Sequence, residues 1–121
     1  MGIVAGGGIC LLHVAKILNK KIKKYSKDDI FKSALDIFLK VLKEPIKQIL
    51  INAELDYSVI INKIDKNQNK NYGYDALNNK YCDMLNSGII DPAKVTITAL
   101  TNATSIVTTM LTTQAIITDK E

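Results

Sequence analysis

The sequence predicts a mainly α-helical chain with one small β-hairpin and a C-terminal strand. Apolar residues recur at a period near 3.6 along most of the 121 residues, which favours amphipathic helices. Two short tyrosine-containing segments flank the pair Asn78-Asn79, which indicates a hairpin. Residues 115–119 alternate enough to form a terminal strand. The length suits one domain with a modest core, and neither a repeat nor a linker divides residues 1–121.

The first helix is predicted to begin directly after three glycines, Gly6 to Gly8. Ile9, Leu12 and Ile22 follow at helical spacing, and the lysine-rich stretch around Lys20 suits a solvated helix end.

A second helix is predicted to follow Ser26, which has the form of an N-cap because Asp29 stands three residues later. Pro45 is expected to kink or restart this helix, since proline removes an amide donor and crowds the preceding turn. The apolar stripe of this helix is predicted at Ile30, Ala34, Ile37 or Phe38, Val41, Leu42, Ile46, Ile49 and Leu50.

The middle of the chain predicts a short helix and then the hairpin. The helix spans Ser58 to Asp65. Its buried residues are predicted to be Val59, Ile60 and Ile64. A polar, asparagine-rich loop follows, and the hairpin strands are predicted at Tyr72 to Tyr74 and Lys80 to Cys82.

A last helix is predicted to begin at Asp91-Pro92, with the aspartate as N-cap and the proline at the first helical position. Nine threonines between Thr96 and Thr118 favour a strand instead, because they are β-branched. An apolar stripe at i, i+4 spacing favours the helix, which we expect to reach about Thr113. That stripe comprises Val95, Ala99, Ala103, Val107 and Met110 or Leu111.

Composition narrows the possible partners. All 16 basic residues are lysines, and the net charge is +4. Arginine dominates bidentate recognition of phosphate and guanine, so its absence argues against a nucleic-acid partner. The apolar run from Ile3 to Leu12 is too short to span a bilayer, and no membrane partner is expected. Cys10 and Cys82 are too far apart to form a Cys-x-x-Cys motif, and His13 has no second histidine, so no metal site is expected.

The three glycines allow two interpretations. Glycines let a backbone approach a ligand closely, and the amides at a helix N-terminus favour anions. The alternative is a tight turn that needs positive φ angles. No Walker A loop is present to decide between them.

A series of motifs resembles the nucleotide-binding end of a GroEL-type (group I) chaperonin. In sequence order they are Gly2–Gly8, Glu44–Ile49, Asn71–Ala76, Tyr81 with Asp83-Met84, Gly88–Pro92, Lys94-Val95, Ala99-Leu100, Asn102-Ala103 and Thr112-Thr113. Each motif is weak by itself, whereas their shared order and spacing cover nearly the whole chain.

This resemblance implies that the chain is the C-terminal half of a chaperonin equatorial domain, a single and incomplete domain over residues 1–121. It implies ATP as the cofactor, with Gly7 against the nucleotide and Asp91 accepting hydrogen bonds from the ribose hydroxyls. The family's Asn-Ala-Ala triplet beside the adenine reads Asp75-Ala76-Leu77 here. Asp75 lacks the amide donor, and Leu77 should crowd the pocket or pack on the ring, whereas backbone contacts would remain.

For the whole protein, the resemblance implies ATP-driven folding of other polypeptides inside a seven-membered, usually double, ring with a co-chaperonin lid. It implies a bacterial cytoplasm, a mitochondrial matrix or a plastid stroma. The family's phosphate-binding Asp-Gly-Thr-Thr loop, which works with magnesium, does not occur in these residues. The water-activating aspartate lies upstream in the family. We therefore expect no catalytic residue, no metal ligand and no ATP hydrolysis by this chain alone, although the parent protein would be an ATPase.

Two other interpretations stay open from the residues. The chain could be a free-standing helical protein-interaction module without nucleotide chemistry. An independent small nucleotide-binding enzyme is weaker, because the sequence shows no general base and no phosphate loop. Under the chaperonin interpretation, the isolated chain is expected to form a non-native homo-oligomer through strand pairing or helix exchange.

Overall fold

The computed structural model describes residues 2–22 and 29–119. Within them the chain is mainly α-helical, as predicted. The helices are α1 (Ile9–Ile22), α2 (Asp29–Asn52), α3 (Tyr57–Lys66) and α4 (Ala93–Asp119). The strands are β1 (Ile3–Ala5), β2 (Tyr72–Asp75), β3 (Lys80–Asp83) and β4 (Ile90–Pro92). The predicted hairpin is confirmed as the antiparallel pair β2–β3, with Tyr74 opposite Tyr81. The small sheet of β1 and β4 was not predicted.

The described residues divide into two compact units. One is Val4–Ile90, and the other joins residues 2–3 to residues 91–119. The first unit contains the hydrophobic core, to which α1, α2, α3 and the segment after β3 contribute. Its buried members are Ala5, Ile9, Leu12, Ile46, Leu50, Ile60, Ile64 and Met84.

Helix α2 runs through Pro45 without restarting. Leu42 and Ile46, on either side of the proline, are each only 1% exposed, so core packing offsets the lost backbone hydrogen bond. The predicted stripe is confirmed at Leu42, Ile46 and Leu50. It is wrong at the exposed residues Ile30, Ala34, Val41 and Ile49. Of the alternatives Ile37 and Phe38, Ile37 is exposed and Phe38 is half-buried, and Leu39, which was not predicted, is buried. Ser26, the predicted N-cap, lies outside the described residues.

Two of the three residues predicted to be buried in α3 are buried, and the third is exposed. Ile60 and Ile64 are buried, four residues apart on one face, whereas Val59 is 60% exposed because it falls on another face. The helix begins after Asp56, whose side chain accepts a hydrogen bond of 3.1 Å from the Ser58 amide.

The predicted C-terminal strand, residues 115–119, is wrong because α4 continues to Asp119. No glycine or proline interrupts residues 93–119, so helix propagation meets no stop signal. Threonine is tolerated earlier in the helix by hydrogen bonding to the preceding turn. The Thr104 hydroxyl donates to the Leu100 carbonyl at 2.8 Å, and that of Thr109 donates to the Ser105 carbonyl at 2.9 Å. No helix in the described part of the chain has the length and apolarity needed to cross a membrane.

Candidate functional site

The three glycines form the turn between β1 and α1. Gly7 has φ +67° and Gly8 has φ +80°, a left-handed conformation that glycine adopts without steric penalty. The Ile9 amide donates to the Gly6 carbonyl at 3.3 Å and closes the turn. The tight-turn interpretation of the glycines is therefore confirmed.

Close packing also requires glycine in this turn. A Cβ atom on Gly8 would lie 2.7 Å from the backbone nitrogen of Ile46, in the middle of α2. A Cβ atom on Gly7 would lie 2.7 Å from the Cε atom of Met84. Both separations are far below van der Waals contact. At Gly8 the obstacle is helix backbone, which cannot move cheaply, whereas at Gly7 it is the terminal methyl of a methionine, which can shift.

Asp75 organises the hairpin loop. Its Oδ1 accepts hydrogen bonds from the amides of Leu77, at 3.0 Å, and Asn78, at 3.2 Å. Its Oδ2 accepts a third from the Asn78 side-chain amide at 2.7 Å. The residue is only 7% exposed. The carboxylate is thus engaged within its own loop, an arrangement that aspartate and asparagine commonly adopt in turns.

The other two residues of the predicted adenine triplet are more accessible. Ala76 is half-buried. Leu77 is 89% exposed, the most exposed large apolar side chain described. Single exposed apolar side chains are common on protein surfaces, so the exposure of Leu77 does not by itself indicate a partner.

Acid is expected to weaken this loop. Hydrogen bonds from the Asn78 side chain, and from the amides of Asn78 and Leu77, hold the pKa of Asp75 below its usual range, although burial opposes them. The ionised carboxylate stabilises the fold fully above the pKa of an unfolded aspartate, about 3.9. That stabilisation is lost as the pH falls through the lower folded-state pKa.

An NMR titration of the Asp75 carboxyl carbon measures this pKa. Asn78→Ala is expected to raise it toward the unfolded value, because the largest favourable contact is removed. Asn62→Ala, an exposed change on α3, serves as control and should leave it unchanged. A pKa that does not respond to Asn78→Ala would refute the role of this hydrogen bond.

The hairpin tyrosines pack on one another. Tyr72 and Tyr81 are stacked, with centroids 5.8 Å apart, and Tyr74 meets Tyr81 edge-on at 4.9 Å. The Lys63 ammonium lies 4.1 Å from the centroid of the Tyr81 ring. Burial raises the pKa of Tyr81, with smaller contributions from the two other tyrosines.

Asp91 lies in the second unit and is exposed. Its prediction as an N-cap is wrong, because Asp91 and Pro92 belong to β4 and the helix begins at Ala93. The Ala93 amide instead donates to the Gly2 carbonyl at 3.0 Å. The first amide of α4 is therefore satisfied by the Gly2 carbonyl and not by the Asp91 carboxylate.

The sequence named Asn78 only as a turn residue and Met84 only within a motif, and the contacts of these two residues were not predicted. Asn78 binds Asp75, and its signal was an aspartate and an asparagine three apart in a predicted turn. Met84, 1% exposed, fills the space that Gly7 leaves open and shares with Ile9 the space at Gly73. Contact across elements that are distant in sequence leaves no such local signal.

Lys16 has a structural role in α1, and the neighbouring His13 is influenced by burial and by nearby lysines. Lys16 donates to the Asp65 carbonyl at 2.7 Å, which satisfies the C-terminal end of α3. Burial lowers the pKa of His13, and the charges of Lys16, Lys70 and Lys20 add to the shift. Among the described residues, no group of three or more histidine, cysteine or acidic side chains is arranged to hold a metal.

The motif order and this geometry can be compared with known families. The model of the TCP-1/cpn60 chaperonin family matches residues 1–121. The chain belongs to the TCP-1/cpn60 chaperonin family. Its functional class is therefore that of a chaperonin, a protein that acts on other polypeptides as part of an oligomeric ring.

Proposed function

We propose that this chain is the C-terminal half of the equatorial domain of a group I chaperonin and supplies the purine and ribose side of its ATP site. The observation that carries the proposal is the match of the family over residues 1–121. The ordered motifs support the finer assignment, because they follow the group I pattern from the glycine turn to Thr112-Thr113.

The glycine turn suits the polar part of a nucleotide. It directly precedes α1, a 14-residue helix whose first amides give its N-terminus partial positive charge. The turn also packs closely, with Gly8 against α2 and Gly7 against Met84, which supports a backbone that is formed in advance. A preformed backbone loses little conformational freedom on binding.

The hairpin loop suits the base through its backbone and Leu77. The Asp75 carboxylate already accepts three hydrogen bonds and offers no donor, so it should not read the adenine itself. Its role is to hold Ala76 and Leu77 in place. The exposed Leu77 side chain can then cover one face of a flat, apolar ring.

Asp91 suits the ribose. A carboxylate accepts hydrogen bonds from two vicinal hydroxyls and has no donor to repel them. Asp91 is exposed, and no cap at α4 occupies it. It is therefore available to a ligand in a way that Asp75 is not.

Replacement of Asp91 tests the ribose assignment. Both Asp91→Ala and Asp91→Ser are expected to weaken ATP binding by roughly ten- to a hundredfold, since each loses charge-assisted hydrogen bonds. Serine should not rescue binding, because the position caps no helix. The free energy of unfolding should change by no more than about 0.5 kcal/mol, as is usual for an exposed site.

The measurement is an NMR titration with ATP, with urea unfolding as the stability check. Asp36→Ala removes an exposed aspartate from α2 and should bind like the parent chain. If all three variants bind ATP equally well, the ribose role is wrong, and a helical interaction module without nucleotide chemistry becomes the better description.

The proposal extends to the assembled protein. ATP and magnesium would drive folding of client polypeptides in a seven-membered, usually double, ring with a co-chaperonin lid. The ring would work in a bacterial cytoplasm, a mitochondrial matrix or a plastid stroma. The magnesium ligands and the phosphate-binding Asp-Gly-Thr-Thr loop would come from residues other than those described here, so this chain alone should bind ATP weakly and hydrolyse none.

Self-association of the isolated chain would take place through helices and not through strand pairing. Strand pairing through residues 115–119 is not available, because they are helical. Exposed apolar side chains remain on α2, at Ile37 and Val41, and on α4, at Val95 and Ile97. They support contact through helices in a non-native homo-oligomer.

A further inference from the structure

Met84 fills the space between the glycine turn and the hairpin. Its Cε atom lies 2.7 Å from the position that a Cβ on Gly7 would take. Its Cγ atom lies 2.7 Å from the corresponding position on Gly73, in β2. The side chain is 1% exposed and occupies the room that Gly7 leaves. At Gly73 it shares the room with Ile9, whose Cγ1 atom lies 2.6 Å from the same Cβ position.

The backbone around Met84 links the same two segments. The Met84 amide donates to the Asn71 carbonyl at 2.8 Å, directly before β2. The Ile89 amide donates to the Met84 carbonyl at 2.9 Å, and the Gly6 amide donates to the Ile89 carbonyl at 2.9 Å. Backbone hydrogen bonds therefore connect Met84 to the residue before β2 and connect the loop after Met84 to the glycine turn.

We propose that Met84 is a positioning residue that sets the spacing between the glycine turn and the hairpin that carries Asp75–Leu77. It acts by filling the gap and contacts no nucleotide. Methionine suits an irregular gap because it is unbranched and has three rotatable bonds. The Cys82 thiol lies 3.7 Å from the Met84 sulfur and helps to orient it. The effect on ATP rests on the proposed function, whereas the effect on spacing does not.

Three variants of the full chain test this role. Met84→Ala empties the gap, and Met84→Leu nearly conserves the volume. Ile60→Ala removes a buried side chain from α3 in the same core and controls for lost stability. Hydrogen exchange at the Gly6 and Ile89 amides is measured relative to the slowest amides of α2, and ATP affinity is measured per folded chain.

In Met84→Ala, relative exchange at these two amides is expected to rise about tenfold, because the local structure opens without global unfolding. ATP affinity should fall about tenfold, since small misplacements of binding groups are costly. Met84→Leu and Ile60→Ala should stay within about twofold of the parent in both measurements.

Two results would overturn the proposal. One is unchanged relative exchange at Gly6 and Ile89 in Met84→Ala. The other is an equal rise in relative exchange at these amides in Ile60→Ala, which would mean that Met84 acts only as one of several core residues. If the parent chain binds no ATP, the proposed function fails, and the exchange measurement still decides the role of Met84.

Discussion

Gly8→Ala is expected to destabilise the chain by about 2–5 kcal/mol. Alanine in a left-handed conformation costs roughly 1–2 kcal/mol. The new Cβ atom would also lie 2.7 Å from both the nitrogen and the Cβ of Ile46. Overpacking of this kind costs typically 1–3 kcal/mol, and here a helix backbone would have to move. Urea unfolding followed by circular dichroism measures the loss.

Gly88→Ala separates the two causes. Gly88 also has a positive φ, +76°, but a Cβ atom there would meet nothing within 4 Å. This variant should lose only the conformational part, about 1–2 kcal/mol. Equal losses at Gly8 and Gly88 would mean that the close approach of the glycine turn to α2 is not present in solution.

Leu50→Ala should have a comparable effect, about 2–5 kcal/mol, through the cavity it leaves. Leu50 is 1% exposed at the end of α2 and belongs to the core cluster. Its carbonyl also accepts the Leu55 amide at 2.9 Å, in the turn that leads to α3.

The neighbouring Ile51 provides the control for this change. It is 44% exposed, so Ile51→Ala should change the free energy of unfolding by no more than about 0.5 kcal/mol. A larger loss at Ile51 than at Leu50 would show that α2 is rotated from the orientation described here.

Local patterns were sufficient for the hairpin and the short helix. Ile60 and Ile64 at i, i+4 spacing, and tyrosines on both sides of an asparagine turn, each determine structure over a few residues. The chaperonin family could also be predicted from the sequence. Single motifs are weak, but several motifs in the same order over most of the chain are informative.

Helix α2 shows what local patterns leave open. Two overlapping stripes exist, one through Ile37 and Val41 and another through Leu39 and Leu42, and both have helical spacing. Only packing against α1 and α3 selects the second for the core. Similarly, β-branched residues near the C-terminus favoured a strand, whereas the helix continued because nothing in the sequence stopped it.

The nucleotide roles of the candidate site residues stay predictions, whereas the contacts of these residues within the fold can be compared with the sequence. The sequence indicated Gly7 and Asp75, and the structure gives each a role within the fold. Gly7 makes room for Met84, and Asp75 binds Asn78. The contact between Gly7 and Met84 could not be predicted, because the two residues are far apart in sequence and meet through tertiary packing. The contact between Asp75 and Asn78 left a local signal, an aspartate and an asparagine three apart in a turn.

An NMR titration of the full chain with ATP tests the central claim most directly. The account predicts saturable shifts of the backbone amides at Gly7, at Ala76 and Leu77, and at Asp91, with little change on α3. Shifts confined to the groove between α2 and α3, which has a volume of about 440 Å³ and is lined by Lys40, Lys43 and Lys47, would contradict it. So would the absence of any shift at millimolar ATP.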